Sequence, residues 1–198
     1  MNPFEERFAS IKGRSPRMCF TGSRDATPKM LESAARVTRW AIDQGYWIVV
    51  GDAKGVDRAV VFEAMLYSIE KELPVTPLTC MGIYERPRNW CSMDFYIRVS
   101  LDNCPSDLEP YLYRDRLLVE DSDGCIAFWN SISEWSGTLA THRYAMKRGL
   151  PAVRHDFEPP TDADREALKE IERLTPDQRK EAAKRGAETR KSKLQKSR

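Results

Sequence analysis

Asp123-Gly124-Cys125-Ile126-Ala127-Phe128-Trp129-Asn130 decides the fold of this chain. It is a short apolar run bounded by polar residues, and it reads as a strand. The charged segment Tyr113-Arg114-Asp115-Arg116 precedes it, and Ser133-Glu134-Trp135-Ser136-Gly137-Thr138 follows. In order, these are a helix, a strand, and a small-residue loop that opens another helix. Helix N-termini present free N–H groups and the positive end of the helix dipole. A basic side chain, a strand end and a helix start brought together in this way suit an anionic or nucleotide-like ligand.

The same alternation runs outward in both directions. Arg17 to Thr21 reads as a strand ending in Gly22-Ser23-Arg24, with Thr27 as N-cap and Pro28 at the first position of the next helix. Met30, Ala34, Val37 and Ala41 mark the inner face of that helix, which Gly45 ends. Trp47 to Val50 is a second strand, followed by Gly51-Asp52-Ala53-Lys54-Gly55-Val56-Asp57 and a helix whose expected inner face is Ala59, Phe62, Leu66 and Ile69. Val75 to Met81 is a third strand candidate, and its Pro77 suits an edge or a strand end. A helix over Gly137 to Arg148 and a short strand over Pro151 to Arg154 complete the pattern. Between the third strand and the Arg114 helix, Ile83 to Pro110 is long enough to be a lid, a binding loop or an inserted hairpin, with a short strand at Phe95 to Val99.

Short apolar strands alternating with helices predict an α/β fold: a Rossmann-like, mostly parallel sheet with helices on both faces, plus a charged helical C-terminal tail. The expected divisions are an N-terminal extension over 1–16, the Rossmann-like domain over 17–157, and a charged, basic-ended tail over 158–198, helical or disordered. Ligands of such sheets bind beyond the carboxyl ends of the strands. The loops after Thr21, Val50 and Trp129 all fall on that edge.

Composition narrows the setting. The chain has 198 residues and a net charge of +2, but Arg179 to Arg198 alone carries +7, so the rest is mildly acidic at −5. No stretch approaches the ~18 apolar residues that span a bilayer, and Met1 to Gly13 lacks an apolar signal core. A cytoplasmic protein with no membrane partner is expected. Cys19, Cys80, Cys91, Cys104 and Cys125 are odd in number and contain no Cys-x-x-Cys pair, so they read as free thiols. With only His142 and His155 beside them, no metal site is expected.

The loop residues carry the chemistry, each with a bland alternative. Gly22, Ser23 and Arg24 form either a strand-to-helix turn or a turn with a hydrogen-bond donor and a guanidinium fork for phosphate or carboxylate. The Gly51 loop matches neither Gly-x-x-x-x-Gly-Lys-[Ser/Thr] nor Gly-x-Gly-x-x-Gly, and no cofactor follows from it. Gly51, Asp52, Gly55 and Asp57 are candidates for binding ribose hydroxyls, since carboxylates accept paired O–H donors; Asp57 also fits a helix cap. Arg114 and Asp115 gain functional value only if Tyr111, Tyr113 and the Gly137 loop fold towards them, because an exposed pair is worth little. Ser133, Ser136, Gly137 and Thr138 fit a helix cap or phosphate and ribose contacts. Trp129 and Trp135 flank the loop and suit stacking on a base or burial at a strand end.

Taken together, TGSR, VVGDAKGVDRAV, YRDRLLVEDSDGCIAFWN and the SGT loop resemble the SMF/DprA–LOG (SLOG) superfamily, with the closest look to its YpsA-like branch. The resemblance runs from about Arg17 to Arg154. It implies a Rossmann-like sheet and a nucleotide, a nucleotide derivative such as an ADP-ribose- or NAD-like molecule, or DNA as ligand. Its cytokinin-activating branch cleaves the N-glycosidic bond of nucleoside monophosphates. That branch's helix Arg matches Arg114, and its Pro-Gly-Gly-x-Gly-Thr loop survives as Ser136-Gly137-Thr138. Its catalytic Glu falls at Ala140 or Thr141 and is missing, leaving Glu134, Asp115, Asp52 or Asp57 as substitutes.

The expected function is therefore binding of a nucleotide-like small molecule as a sensor or sequestering module. An N-glycoside hydrolase or transferase with Arg114, Asp115 and Glu134 as catalytic candidates is the alternative. A third reading has nucleic acid held by the basic tail, 179–198. Whether the chain forms a homo-oligomer is open at this level.

Overall fold

The computed structural model describes residues 11, 13–89, 91–130 and 136–166. Ser133, Glu134, Trp135 and the basic tail lie outside the described residues. The chain divides into two units, Met1–Pro159 and Pro160–Arg198. In the second unit, 162–166 is helical, with Thr161 Oγ1 accepting from the Asp164 N–H at 3.2 Å and Asp164 Oδ2 accepting from the Thr161 N–H at 2.8 Å.

The first unit is a six-stranded sheet in which every pairing is parallel. Its strands are β1 (Arg17–Gly22), β2 (Trp47–Gly51), β3 (Leu78–Gly82), β4 (Tyr96–Arg98), β5 (Gly124–Trp129) and β6 (Ala152–Asp156). The helices are α1 (Pro28–Asp43), α2 (Val56–Glu70), α3 (Pro110–Glu120) and α4 (Gly137–Lys147). Strand order is β4-β3-β2-β1-β5-β6, so the chain steps outward from β1 one way and then turns back through β5.

Successive strand residues face opposite sides, which sorts them into two apolar layers. Met18, Phe20, Ile48, Val50, Ile126 and Phe128 join residues of α1 and α2 in one core. Cys19, Val49, Met81 and Cys125 join Leu118, Val119 and Ala145 of α3 and α4 in the other. A strand buried on both faces must be apolar at every position, which explains its continuous apolar runs. Cys19 and Cys125 are register partners and wholly buried.

Local signals set the ends of α1: Thr27 Oγ1 accepts from the Met30 N–H at 3.1 Å, Pro28 leads the helix, and Gly45 at φ 77° follows it. Two expectations need correction. The buried side of α2 is Val56, Val60, Ala64 and Tyr67 with Val61 and Ser68, whereas Ala59, Phe62 and Leu66 are only partly buried and Ile69 is 72% exposed. This helix is apolar nearly all round, so spacing selects no face. Polar ties to α1 orient it instead: Tyr67 Oη donates to Asp43 at 2.8 Å, and Arg39 pairs with Glu63. Of the lid, binding loop or inserted hairpin expected after β3, the hairpin does not form, while the short strand expected at Phe95 to Val99 is present as β4. The stretch carries a 3₁₀ turn, Met93–Phe95, into β4, which pairs parallel to β3, and so makes β3 internal, with Pro77 just outside it.

Candidate functional site

The strand order reverses between β1 and β5, and a cleft of about 430 Å³ opens beyond their carboxyl ends. Such a switch point is where open α/β sheets hold ligands. The β1 loop supplies Gly22, Ser23 and Arg24; the α2 start supplies Asp57; α3 supplies Tyr111, Arg114 and Asp115; the α4 start supplies Ser136, Gly137 and Thr138. A hollow of about 360 Å³ at another place on the unit is lined by Arg14, Arg17, Asp121 and Asp123. There Arg14 pairs with Asp123 at 2.7 Å and Arg17 with Asp121 at 2.6 Å, so these four charges are spent on each other.

Arg114 is the hub of the site and is 3% exposed. Its Nη1 donates to the Met81 carbonyl at 3.1 Å and lies 3.6 Å from Asp52 and 3.9 Å from Asp57. Its Nε is 2.8 Å from Asp115 Oδ1, yet its N–H makes no hydrogen bond there, so that contact is an ion pair without good donor geometry. Burial works against the guanidinium charge, but Asp115, Asp57 and Asp52 outweigh it and raise the pKa further. Gly51 makes the approach possible, since a Cβ there would collide with Arg114 Nη1 and Asp57 Oδ2.

The carboxylates divide by environment. Asp52 is wholly buried and is held by Arg88, whose Nη2 and Nε lie 3.3 and 3.5 Å from it. Asp57 does not cap α2. It accepts from the Ala53 N–H at 3.3 Å. Burial pushes its pKa up from 3.8 to about 6; Arg114 opposes this, and Asp115 and Asp52 reinforce it. Asp115 is raised too, mainly by burial, against the pull of Arg114, Arg24 and a hydrogen bond from Thr141. A buried carboxyl that keeps its proton towards neutral pH beside a second carboxyl is a feature of acid–base sites.

The other predicted residues take mixed places. Ser23 ties β1 to β5: its Oγ accepts from the Asn130 N–H at 3.3 Å, and its own N–H donates to the Phe128 carbonyl at 3.0 Å. Ser136 Oγ accepts from the Leu139 N–H at 3.2 Å and caps α4. Gly51, Asp52 and Gly55 are not among the residues that line the cleft. Gly55, at φ 77°, packs so closely on the Ser23 and Arg24 carbonyls that a Cβ would clash. Trp129 faces Arg154, whose Cζ sits 4.9 Å from its ring. Of the two tyrosines flagged on α3, Tyr111 lines the cleft and Tyr113 packs into the core.

Sequence reasoning missed Arg88, Tyr84 and Asn130. Arg88 Nη1 donates to Tyr111 Oη at 3.1 Å, and its guanidinium lies over the rings of Tyr84 and Tyr111. The two tyrosine hydroxyls touch. Asn130 donates to the Asp25 carbonyl. For Arg88 and Tyr84 the advance signal was the run of aromatic residues in Ile83 to Pro110; Asn130 stood at the end of the deciding strand with none of its own. Among the described residues, no group of His, Cys, Asp or Glu has metal-site geometry, and no helix is long and apolar enough to cross a membrane.

No family model matches the chain, and no curated protein matches it. Its fold is similar to that of DNA processing protein A (DprA) from Streptococcus pneumoniae, with a TM-score of 0.51 and 18% identity over 79% of this chain and 56% of that one. The chain thus spans little more than half of that protein. Two further likenesses are weaker. DNA processing protein A from Helicobacter pylori, described with a single-stranded DNA binding mode, has a TM-score of 0.48 at 18% identity, over 84% of this chain and 75% of that one. The Moco carrier protein of Chlamydomonas rheinhardtii has 0.46 at 19%, over 71% and 76%. At these identities the shared property is the parallel α/β fold.

Proposed function

We propose that this chain is a member of the SLOG superfamily that binds a nucleotide or nucleotide-derived ligand, of ADP-ribose or NAD type, in the β1/β5 cleft, as a sensor or sequestering module. The observation that carries the reading is the meeting of the α4 N-terminus with Asp57, Arg114 and Asp115 across one cleft at the switch point. The first N–H groups of α4 suit a phosphate. Asp57 and Asp115 suit paired ribose hydroxyls, and Arg114 holds both carboxylates in place. Titration calorimetry of the protein against nucleoside mono-, di- and triphosphates, NAD and ADP-ribose tests it. Micromolar binding is expected with at least one of them, weakened about tenfold in Thr138→Val and in Asp115→Asn. No heat and no thermal shift with any of the panel would sink the proposal.

A second reading, N-glycoside hydrolysis or transfer, has its own support. The carboxylate missing from α4 has a spatial substitute on α3: Asp115 lies beside Thr141 and against Gly137. In this reading protonated Asp57 donates to the departing base, while Asp115 stabilises the cationic sugar or activates water. Release of free base that is lost in both Asp57→Asn and Asp115→Asn is the expected signature; binding without turnover leaves the first reading alone.

A further inference from the structure

Four carboxylates line the cleft, from Asp25, Asp57, Glu109 and Asp115, against two guanidinium groups, Arg24 and Arg114. Arg114 is already committed to its aspartates. That leaves Arg24, and its surroundings do not suit a phosphate ligand. Its Cζ sits 5.2 Å from the centre of the Tyr111 ring. Arg88 covers the same ring at 5.0 Å and is anchored by wholly buried Asp52 and by Tyr111 Oη. Tyr111 is thus held by Arg88 and Tyr84, outside the cleft lining, while Arg24 and Tyr111 themselves form part of that lining. Arg24 shares that lining with Asp25 and Glu109, whose carboxylates weigh against an anion and not against an uncharged planar ring. Guanidinium planes stack on aromatic rings and on nucleobases, and being weakly hydrated they lose little in doing so.

We propose that Arg24, mounted on Tyr111, is the platform on which the base of the ligand stacks, and that the phosphate is held elsewhere, at the α4 N-terminus. The inference rests on the nucleotide reading above and adds that the cleft selects for a heteroaromatic base, with Arg24 as the residue that determines that selection. It reverses the phosphate-fork role that the sequence offered for Arg24. Lysine keeps the charge but has no plane, so Arg24→Lys separates the two roles.

Three probes decide the matter by calorimetry: adenosine, adenosine 5′-monophosphate and ribose 5-phosphate, with 2-aminopurine riboside as a fluorescent stacking reporter. In Arg24→Lys, affinity for adenosine and its monophosphate should fall about tenfold, a typical size for one stacked base, and quenching of 2-aminopurine should be lost. Ribose 5-phosphate should bind as before. Tyr111→Leu should copy this pattern, while Tyr111→Phe, which keeps the ring, should not. Equal weakening of all three probes in Arg24→Lys would make Arg24 a phosphate ligand and overturn the inference; unchanged binding of all three would overturn it as well. If the unaltered protein holds ribose 5-phosphate as tightly as the monophosphate, the platform fails and the cleft reading stands. If it binds none of the three, the platform falls, and the wider panel of nucleotides, NAD and ADP-ribose decides the cleft reading separately.

Discussion

At the scale of single residues, Arg114 shows how burial changes what a side chain is for. An Arg–Asp pair on an exposed helix face contributes ~0.5 kcal/mol. Here the guanidinium is enclosed by three carboxylates and a carbonyl, and removing it would leave buried charge unpaired, a loss of ~3–5 kcal/mol. Asp57 carries the opposite sign. Its pKa rises from 3.8 in the unfolded chain to about 6 in the fold, so the folded state binds the proton more tightly. Stability from this residue is therefore greatest below pH 4 and is lost as pH rises from about 4 to about 6, by ~3 kcal/mol at most. Asp57→Asn should flatten the dependence over that window and make the protein ~1–3 kcal/mol more stable at pH 7.5. Urea denaturation at pH 4, 5, 6 and 7.5 measures both; an unaltered slope would show that Asp57 ionises normally in the fold. The sequence placed Arg114, Asp57 and Asp115 among the candidates. It did not say that Asp52 would be sealed away, because burial of a loop carboxylate depends on what packs over it.

At the scale of elements, the informative piece is the stretch between β3 and β4. Parallel strands need a crossover of roughly a dozen residues, and this one contains Arg88, which clasps the end of β2 through Asp52. Arg88→Ala should release that clasp. Because the Arg88 side chain is 36% exposed, the stability cost should be only ~1 kcal/mol, whereas amide exchange should accelerate over Tyr84 to Phe95 and not in α1 or β1. Unchanged exchange across Tyr84 to Phe95 would mean that the loop is held by other contacts, such as the donation from Tyr96 Oη to the Tyr84 carbonyl at 2.8 Å. The helices teach a related lesson. Capping residues and glycine stops located α1 from local chemistry alone. The inward face of α2 was not legible, because a helix with apolar residues on every side is oriented by its neighbours.

At the scale of the whole molecule, the division at Pro159 sets the last expectation. A chain ending at Pro159 should keep a cooperative melting transition with a midpoint within a few degrees, and its nucleotide affinity; loss of affinity would assign a part of the binding to 160–198. Nucleic-acid binding that falls steeply with salt and disappears in the shortened chain would instead give the basic tail its own role. The parallel α/β architecture and the placing of the candidate loops at the carboxyl edge of the sheet were written in the sequence, since strand alternation and turn chemistry are local properties of the chain. Tertiary structure alone decided how those loops share their work. It placed Asp115 of α3 against the first turn of α4, sent Trp129 to Arg154, left Asp52 out of the cleft lining and set Arg24 on Tyr111. Each of these follows from strand order and close packing between segments far apart in the chain, and no local pattern encodes such distances.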